Sequence, residues 1–308
     1  MKNNKDLTRQ PLTENNQDDL AYFIQLLESK ASAKPDLSVE KWNKRAEAWK
    51  KKEEAGSDDK HLRVENAVKL LSDKGILHAK ANVVDIGCGP GKFVAAFAEK
   101  VNYALGLDLS TKMIEHGDSH LKNLGIKNAD LKTADFRSMD IDIEGYRGAF
   151  DLVYSSMTPA IQDIDGLMKM MNMSRAWCCN VTHVGHENSL QTQIMNEVFH
   201  RPVPIRWSGR WFYALFNILY LLGYSPETSY DTRHREEWIE PSEDYAQLVM
   251  DQMFREEEQN DETKFKILHW LRIKANDRGL LLEVRDTTYA TTLWDVRKKV
   301  SRPDYSKL

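Results

Sequence analysis

The chain has 308 residues, of which 41% are apolar and 29% charged, the balance of a globular protein that can build a core and not of a disordered one. A formal charge of −4 and a pI near 6.2 argue against an extended phosphate-binding face, and so against nucleic acid as a partner. Three cysteines cannot make a disulfide framework, and the most apolar window, Trp211 to Leu222, is too short to span a bilayer, so the expectation is a cytoplasmic protein without a membrane partner, monomeric or homodimeric.

Residues 1 to about 15 are polar and read as a disordered tail. Leu20, Phe23, Ile24 and Leu27 recur at helical spacing, which predicts a first helix from Asp18 to near Ala33, broken by Pro35. Ser38 is placed to cap a second helix with Val39, Trp42, Ala46 and Trp49 on one stripe, and Val64, Val68 and Leu71 mark a third, closed by Gly75. From there strands and helices alternate: Val83–Ile86, a helix over Lys92–Lys100, Tyr103–Leu107, a helix carrying Met113 to Leu124, Ala129–Thr133, Phe150–Ser155, Leu167–Met173 and a fifth strand near Ala176–Val181. Residues 186 to 222 read as two helical pieces divided at Pro202 and Pro204. Strands follow at Ser229–Trp238 and Thr287–Arg297, with helices near 242–258 and 262–278 between them.

The pattern predicts an α/β fold: a Rossmann-like, seven-stranded, mostly parallel sheet with helices on both faces, a helical N-terminal extension and a helical insertion late in the chain. Residues 1–60 are expected to form a tail and lid helices, and 61–185 the ligand-binding core. Residues 186–308 would then supply the last strands and further helices of the same domain.

The strongest motif is the apolar strand Val83-Val84-Asp85-Ile86 running into Gly87-Cys88-Gly89-Pro90-Gly91 and then a helix. Glycines there allow positive φ and close approach of a ligand to main chain, while Cys88 fits the space between them. The dinucleotide pattern G-x-G-x-x-G needs a glycine on the helix, where this chain has Lys92 and Phe93. Asp85, just before the turn, would repel a pyrophosphate but can accept bonds from an ammonium group or hold the turn. A second apolar strand ends in Asp108, about 20 residues beyond the glycines, where a carboxylate can take both hydroxyls of a ribose or cap the helix that follows.

Together, V-V-D-I-G-C-G-P-G-K-F and G-L-D-L-S resemble the class I S-adenosylmethionine-dependent methyltransferase superfamily over roughly residues 60 to 185. The resemblance implies S-adenosylmethionine as cofactor, with Gly87, Gly89 and Gly91 flanking its methionine part, Asp108 at the ribose, Met113 near the adenine, and Leu109 among the cofactor-binding residues. Asp135 and Phe136 match the family's acidic and apolar pair at the adenine amine and ring. Trp42 and Trp49 are similar to the aromatic residues of an N-terminal lid that some members lay across the cofactor.

Ligands in open α/β sheets lie beyond the carboxyl ends of the strands, so Ser155 to Thr158 are expected to face the transferred methyl, with Ser155 lining the cofactor or simply shaping the turn. The sequence there lacks the Asn- or Asp-Pro-Pro-Tyr/Phe run of enzymes that methylate base amino groups. Cys178 and Cys179 sit in an apolar strand and read as structural. His183 and His186 lie past strand five, as a general base or as loop residues, and no third ligand accompanies them, so no metal is expected. Trp207, Arg210, Trp211 and Tyr213 form an aromatic-basic cluster fit to stack an acceptor or to pack. The acceptor pocket is expected from residues about 183 to 240 together with the N-terminal helices. The expected function is methyl transfer to a small-molecule acceptor by direct in-line displacement. The alternatives are an RNA or protein methyltransferase, or a protein that binds the cofactor without consuming it.

Overall fold

The computed structural model describes residues 14–28, 39–40, 42–43, 59–204 and 209–303. The chain divides into two compact units, the first comprising Met1–Thr182, Trp211–Ser229 and Thr291–Leu308, the second His183–Arg210 and Tyr230–Ala290. The second unit interrupts the first twice along the chain.

The described elements are α1 (Glu14–Glu28), α2 (Asp59–Asp73), β1 (Asn82–Ile86), α3 (Lys92–Ala98), β2 (Tyr103–Asp108), α4 (Thr111–Asn123), β3 (Ala129–Thr133), β4 (Phe150–Ser156) and α5 (Ile164–Met173). There follow β5 (Ser174–Asn188), α6 (Ser189–Glu197), α7 (Arg210–Leu221), β6 (Glu227–Ile239), α8 (Glu243–Met253), α9 (Asp261–Lys274) and β7 (Leu281–Asp295). The strands form one seven-stranded sheet in the order β3-β2-β1-β4-β5-β7-β6. β3, β2, β1, β4 and β5 are parallel neighbours. Partners along β5 and β7 run in opposite order, Ala176 with Val296 and His186 with Thr287, which makes β7 antiparallel to β5.

Within the first unit, alternation along the strands sends side chains to two separate cores. Val84, Ile86, Leu105, Leu107 and Val153 pack with Leu20 and Leu27 of α1, Leu167 and Met170 of α5, and Leu215 and Ile218 of α7. Their neighbours Val83, Ala104, Leu152 and Tyr154 face the other way, onto Leu71 of α2, Phe97 of α3 and Leu121 of α4. The central parallel strands are thus buried on both faces, in keeping with the apolar runs of β1, β2 and β4. In the second unit, Leu190 and Ile194 of α6, Val249 of α8, Ile267 and Leu271 of α9 and Leu281 close a core of their own.

Three of the element boundaries that differ from the sequence reading bear on the residues singled out there or on buried polar pairs. The first described helix begins at Glu14, four residues ahead of the expected start at Asp18, and there Asn16 is buried and its Nδ2 donates to the Pro303 carbonyl at 3.0 Å. Strand five extends through Asn188, so His183 and His186 lie inside a strand and not past its end. Strand seven starts at Leu281, earlier than expected, since the charges of its first half are answered across the sheet: Glu283 accepts from Asn188 Nδ2 at 2.6 Å and from the Tyr245 hydroxyl at 2.5 Å, and Arg285 pairs with Glu237. Polar groups paired in this way are compatible with a strand that hydropathy alone reads as loop.

Candidate functional site

At the carboxyl end of β1 the amides of Gly87 and Cys88 both donate to the Leu107 carbonyl, at 2.7 and 3.0 Å, which folds the turn over the end of β2. Gly87, Gly89 and Gly91 hold φ of 71°, 55° and 71°, a region L side chains rarely enter. Space also restricts two of the three, Gly87 severely and Gly91 mildly. A Cβ at Gly87 would stand 2.0 Å from Thr158 Oγ1, and one at Gly91 3.0 Å from the Leu131 methyls. At Gly89 a Cβ would meet nothing within 4 Å, so this is the turn's open side, where main chain faces free space. Cys88 is buried beneath, its thiol pushed up by burial and by the nearby Asp85 and Asp108, and it serves as packing.

Asp108, at the tip of β2, ties the turn to the next helix. Its Oδ2 accepts from the Gly89 amide at 2.8 Å and its Oδ1 from the Ser110 amide at 2.9 Å. Burial raises its pKa, against the two amides, which favour the charged form. A carboxylate offers about four lone-pair positions, so two remain for a pair of hydroxyls. Ser110 then caps α4, accepting from the Met113 amide at 3.2 Å while donating to Asn43 Oδ1 at 2.6 Å. Leu109 is half-buried and Met113 buried. The Asn43 contact brings the segment carrying Trp42, itself half-buried, to the end of β2, whereas Trp49 lies outside the described residues. Nothing in the sequence marked Asn43.

Asp85 lies between Gly106 of β2 and Tyr154 of β4. It is 2% exposed, and its Oδ1 has no hydrogen-bond partner. Burial, and then the charge of Asp108, hold its carboxyl well above the usual range.

The Ala134 amide donates to the Asp108 carbonyl at 2.8 Å, which carries the chain from β3 past the site. Asp135 is gripped through both oxygens by Arg137, at 2.9 and 3.0 Å, and this hydrogen-bonded pair holds its pKa below the usual value. Phe136 is 3% exposed and belongs to the core under α5, where Lys169 bonds the carbonyls of Phe136, Arg137 and Met139.

On β4, Ser155 is fully buried on the α5 face, and its hydroxyl accepts from Asn180 Nδ2 at 2.9 Å. The Trp211 indole donates to the other end of that amide at 3.4 Å. Past the strand, Met157 takes φ 56° and donates its amide to the Val181 carbonyl at 2.9 Å. A non-glycine residue held in this region marks a constrained tip, commonly a functional one. Trp211 is half-buried on α7, and Tyr213, 52% exposed, meets Phe23 of α1 edge-on at 5.4 Å. Arg210 opens α7 half-buried, and Trp207 lies outside the described residues.

The two histidines belong to the second unit. His183 packs against the Tyr289 ring at 4.7 Å, and His186 Nδ1 shares a hydrogen bond with Thr287 Oγ1 at 3.0 Å. Burial, then the Arg285 charge, lower the His186 pKa and favour the neutral ring. Among the described residues no three His, Cys, Asp or Glu side chains gather as a metal-ligand set, and no helix is long and apolar enough to cross a membrane.

Residues 83–177 match the family model described as a methyltransferase domain. No curated protein matches the chain. Among solved structures, the chain is similar to the YcgJ protein of Bacillus subtilis, at 14% identity over 78% of this chain and 100% of that one, with a TM-score of 0.46. It is also similar to a putative methyltransferase of Bacillus halodurans C-125, at 14% identity over 74% and 97% of the two chains and a TM-score of 0.47. A third, magnesium protoporphyrin IX methyltransferase of Synechocystis PCC 6803 with bound S-adenosylmethionine, shares 16% identity over 72% and 92%, with a TM-score of 0.40.

Proposed function

We propose that this chain, whose residues 83–177 match a methyltransferase domain, is a class I S-adenosylmethionine-dependent methyltransferase that transfers the methyl group to a small-molecule nucleophile by direct in-line displacement. The observation that carries the cofactor half of this reading is the Asp108 carboxylate bound to the Gly89 amide: one group fixes the open glycine turn and keeps acceptor positions for a ribose. The residues present suit the cofactor's chemistry. Asp85 offers a buried, unpartnered carboxyl oxygen to an ammonium, Gly89 leaves main chain uncovered, and two neighbouring carboxyls disfavour a pyrophosphate.

When bound, S-adenosylmethionine supplies a methyl already activated by its sulfonium. The protein's part is therefore alignment and exclusion of water, with at most one base. Gly87 and Thr158 lock the β1 turn against the β4 tip, and the Met157 amide fixes that tip to β5. The small-molecule reading draws support from the aromatic faces of α1 and α7, where Phe23, Tyr213 and Trp211 present ring surface suited to a compact organic acceptor, and from the chain's acidic balance. Incubation with methyl-labelled cofactor and a metabolite extract tests it: label in a small compound supports the reading, and label only in RNA or protein overturns it.

Once that acceptor is in hand, Trp211→Ala and Tyr213→Ala are expected to lower kcat/KM for it by about tenfold, a loss of ~1.4 kcal/mol of transition-state binding, while the Kd for S-adenosylhomocysteine stays within about twofold. Full activity in both variants would assign these rings to packing and move the acceptor wall to Trp42 and the Ser155–Thr158 tip.

A further inference from the structure

A cavity of about 330 Å³ opens in the first unit, at the end of the sheet away from the glycine turn. It lies where β4 and β5 start and the antiparallel β7 ends. Arg147 and Gly148 lead into β4, Asn172 and Ser174 join α5 to β5, and Val296 follows β7. β1 runs parallel to β4 with Ile86 level with Ser155, so the glycine turn sits at the opposite ends of these strands. The seven residues of β4, at ~3.3 Å each, put roughly 20 Å between the two places. Methyl transfer at the strand tips therefore makes no use of this cavity.

Its two sides differ in chemistry. Met168 and Met171 of α5, Val296 and the Tyr224 ring make one side apolar, and Met171 is 4% exposed. Methionine side chains adjust to the shape they meet, which suits this side to the body of an organic ligand. The other side is cationic. Arg147 grips Asp142 through Nε and Nη2, at 2.5 and 2.8 Å, and that pair leaves both N–H bonds of Nη1 unused. Lys299 extends its ammonium over the Tyr224 ring, 5.7 Å from the centroid. Its neighbour Lys298 pairs with Asp295, while among the described residues no carboxylate pairs with Lys299. Arg147 and Lys299 against Asp142 alone make this rim positive, in a chain whose formal charge is −4.

An inorganic anion would answer the cations and leave Met168, Met171 and Val296 bare. A neutral apolar molecule would cover those side chains and leave the guanidinium unanswered. A carboxylate on a compact apolar body meets both sides, and the volume lies at the lower end of what small-ligand pockets provide. We propose that this cavity is a second ligand site, separate from methyl transfer, that binds a small carboxylic acid with an aromatic or branched apolar body. The carboxylate takes Nη1 of Arg147 and the Lys299 ammonium, and the body lies on Met168, Met171 and Val296.

The test uses the full-length chain with its methionine methyls isotopically labelled for NMR, and 3-phenylpropionate as the probe. The Met168 and Met171 methyl signals, identified through Met168→Leu and Met171→Leu, are expected to shift saturably at millimolar probe, while that of Met113 on α4 stays in place. The neutral 3-phenylpropionamide forfeits the charge-assisted bonds and should bind about tenfold more weakly or worse. Arg147→Gln should weaken 3-phenylpropionate by a similar factor, about tenfold, and leave the Kd for S-adenosylhomocysteine within about twofold. The Arg147–Asp142 pair is solvent-exposed, so its loss leaves the fold intact, and Lys299→Gln tests the second cation independently. No shift of either methyl, equal binding of the amide, a response at Met113 in place of Met168 and Met171, or unchanged affinity in both Arg147→Gln and Lys299→Gln would each overturn the proposal. None of these outcomes touches the cofactor reading, which S-adenosylhomocysteine binding tests separately.

Discussion

Gly87→Ala is expected to abolish measurable cofactor binding and to destabilise the fold. The new methyl would sit 2.0 Å from Thr158 Oγ1 and 2.5 Å from Thr158 Cβ, at a φ of 71° that alanine adopts only at a cost. A left-handed conformation costs an L residue about 1–2 kcal/mol, and overpacking typically 1–3 kcal/mol, so the sum is roughly 2–5 kcal/mol. The strain has no local outlet. The Gly87 and Cys88 amides are fixed to the Leu107 carbonyl, and Thr158 follows the constrained Met157. Gly89→Ala is the informative control, because its Cβ enters open space. That protein should keep a Tm near the parent's and lose affinity through the methyl projecting at the ligand. Thermal melts with calorimetry separate the two, and a Gly87→Ala protein binding S-adenosylhomocysteine within threefold of the parent would show the turn to be misassigned.

Asp108→Ala carries the second large effect. The substitution removes the acceptor for two amides, Gly89 at 2.8 Å and Ser110 at 2.9 Å, and with them the carboxylate available to a ribose. Hydrogen bonds to a charged group contribute about 1.5–3 kcal/mol each, and ~1.4 kcal/mol is a factor of ten in affinity, so the Kd should rise at least tenfold. Asp108→Asn keeps the shape and one acceptor oxygen, and should fall between. A folded Asp108→Ala protein that binds S-adenosylhomocysteine within threefold of the parent would refute the ribose role.

The glycine turn and Asp108 were legible in the sequence because what defines them is local: strand, glycine spacing and a carboxylate at the next strand's end. The same holds for the strands from β1 to β4, whose apolar runs are short and bounded by turn residues. The sheet face that Ser155 takes was legible in principle. The residue pairs in register with Ile86, which belongs to the α5-side core, and side-chain parity already sends its hydroxyl there. The Arg137 grip on Asp135 and the Asn180 bridge from Ser155 to Trp211 depend on which partners the fold supplies, and spacing does not report that. Asn43 is the clearest case. Its amide meets Ser110 across 67 residues of sequence, and no periodicity distinguishes it from any other polar residue on a helix. The elements of the second unit were legible as strands and helices, but their grouping was not, because the unit is assembled from two separated stretches of chain.

The central claim, that the glycine turn with Asp85 and Asp108 forms an S-adenosylmethionine site, is tested most directly by titrating the purified chain with S-adenosylmethionine and S-adenosylhomocysteine, using a nicotinamide dinucleotide as the comparison ligand. Saturable binding of both adenosyl compounds at one site per chain, with no heat from the dinucleotide, is the predicted result. Absence of binding by both, or preference for the dinucleotide, would contradict it.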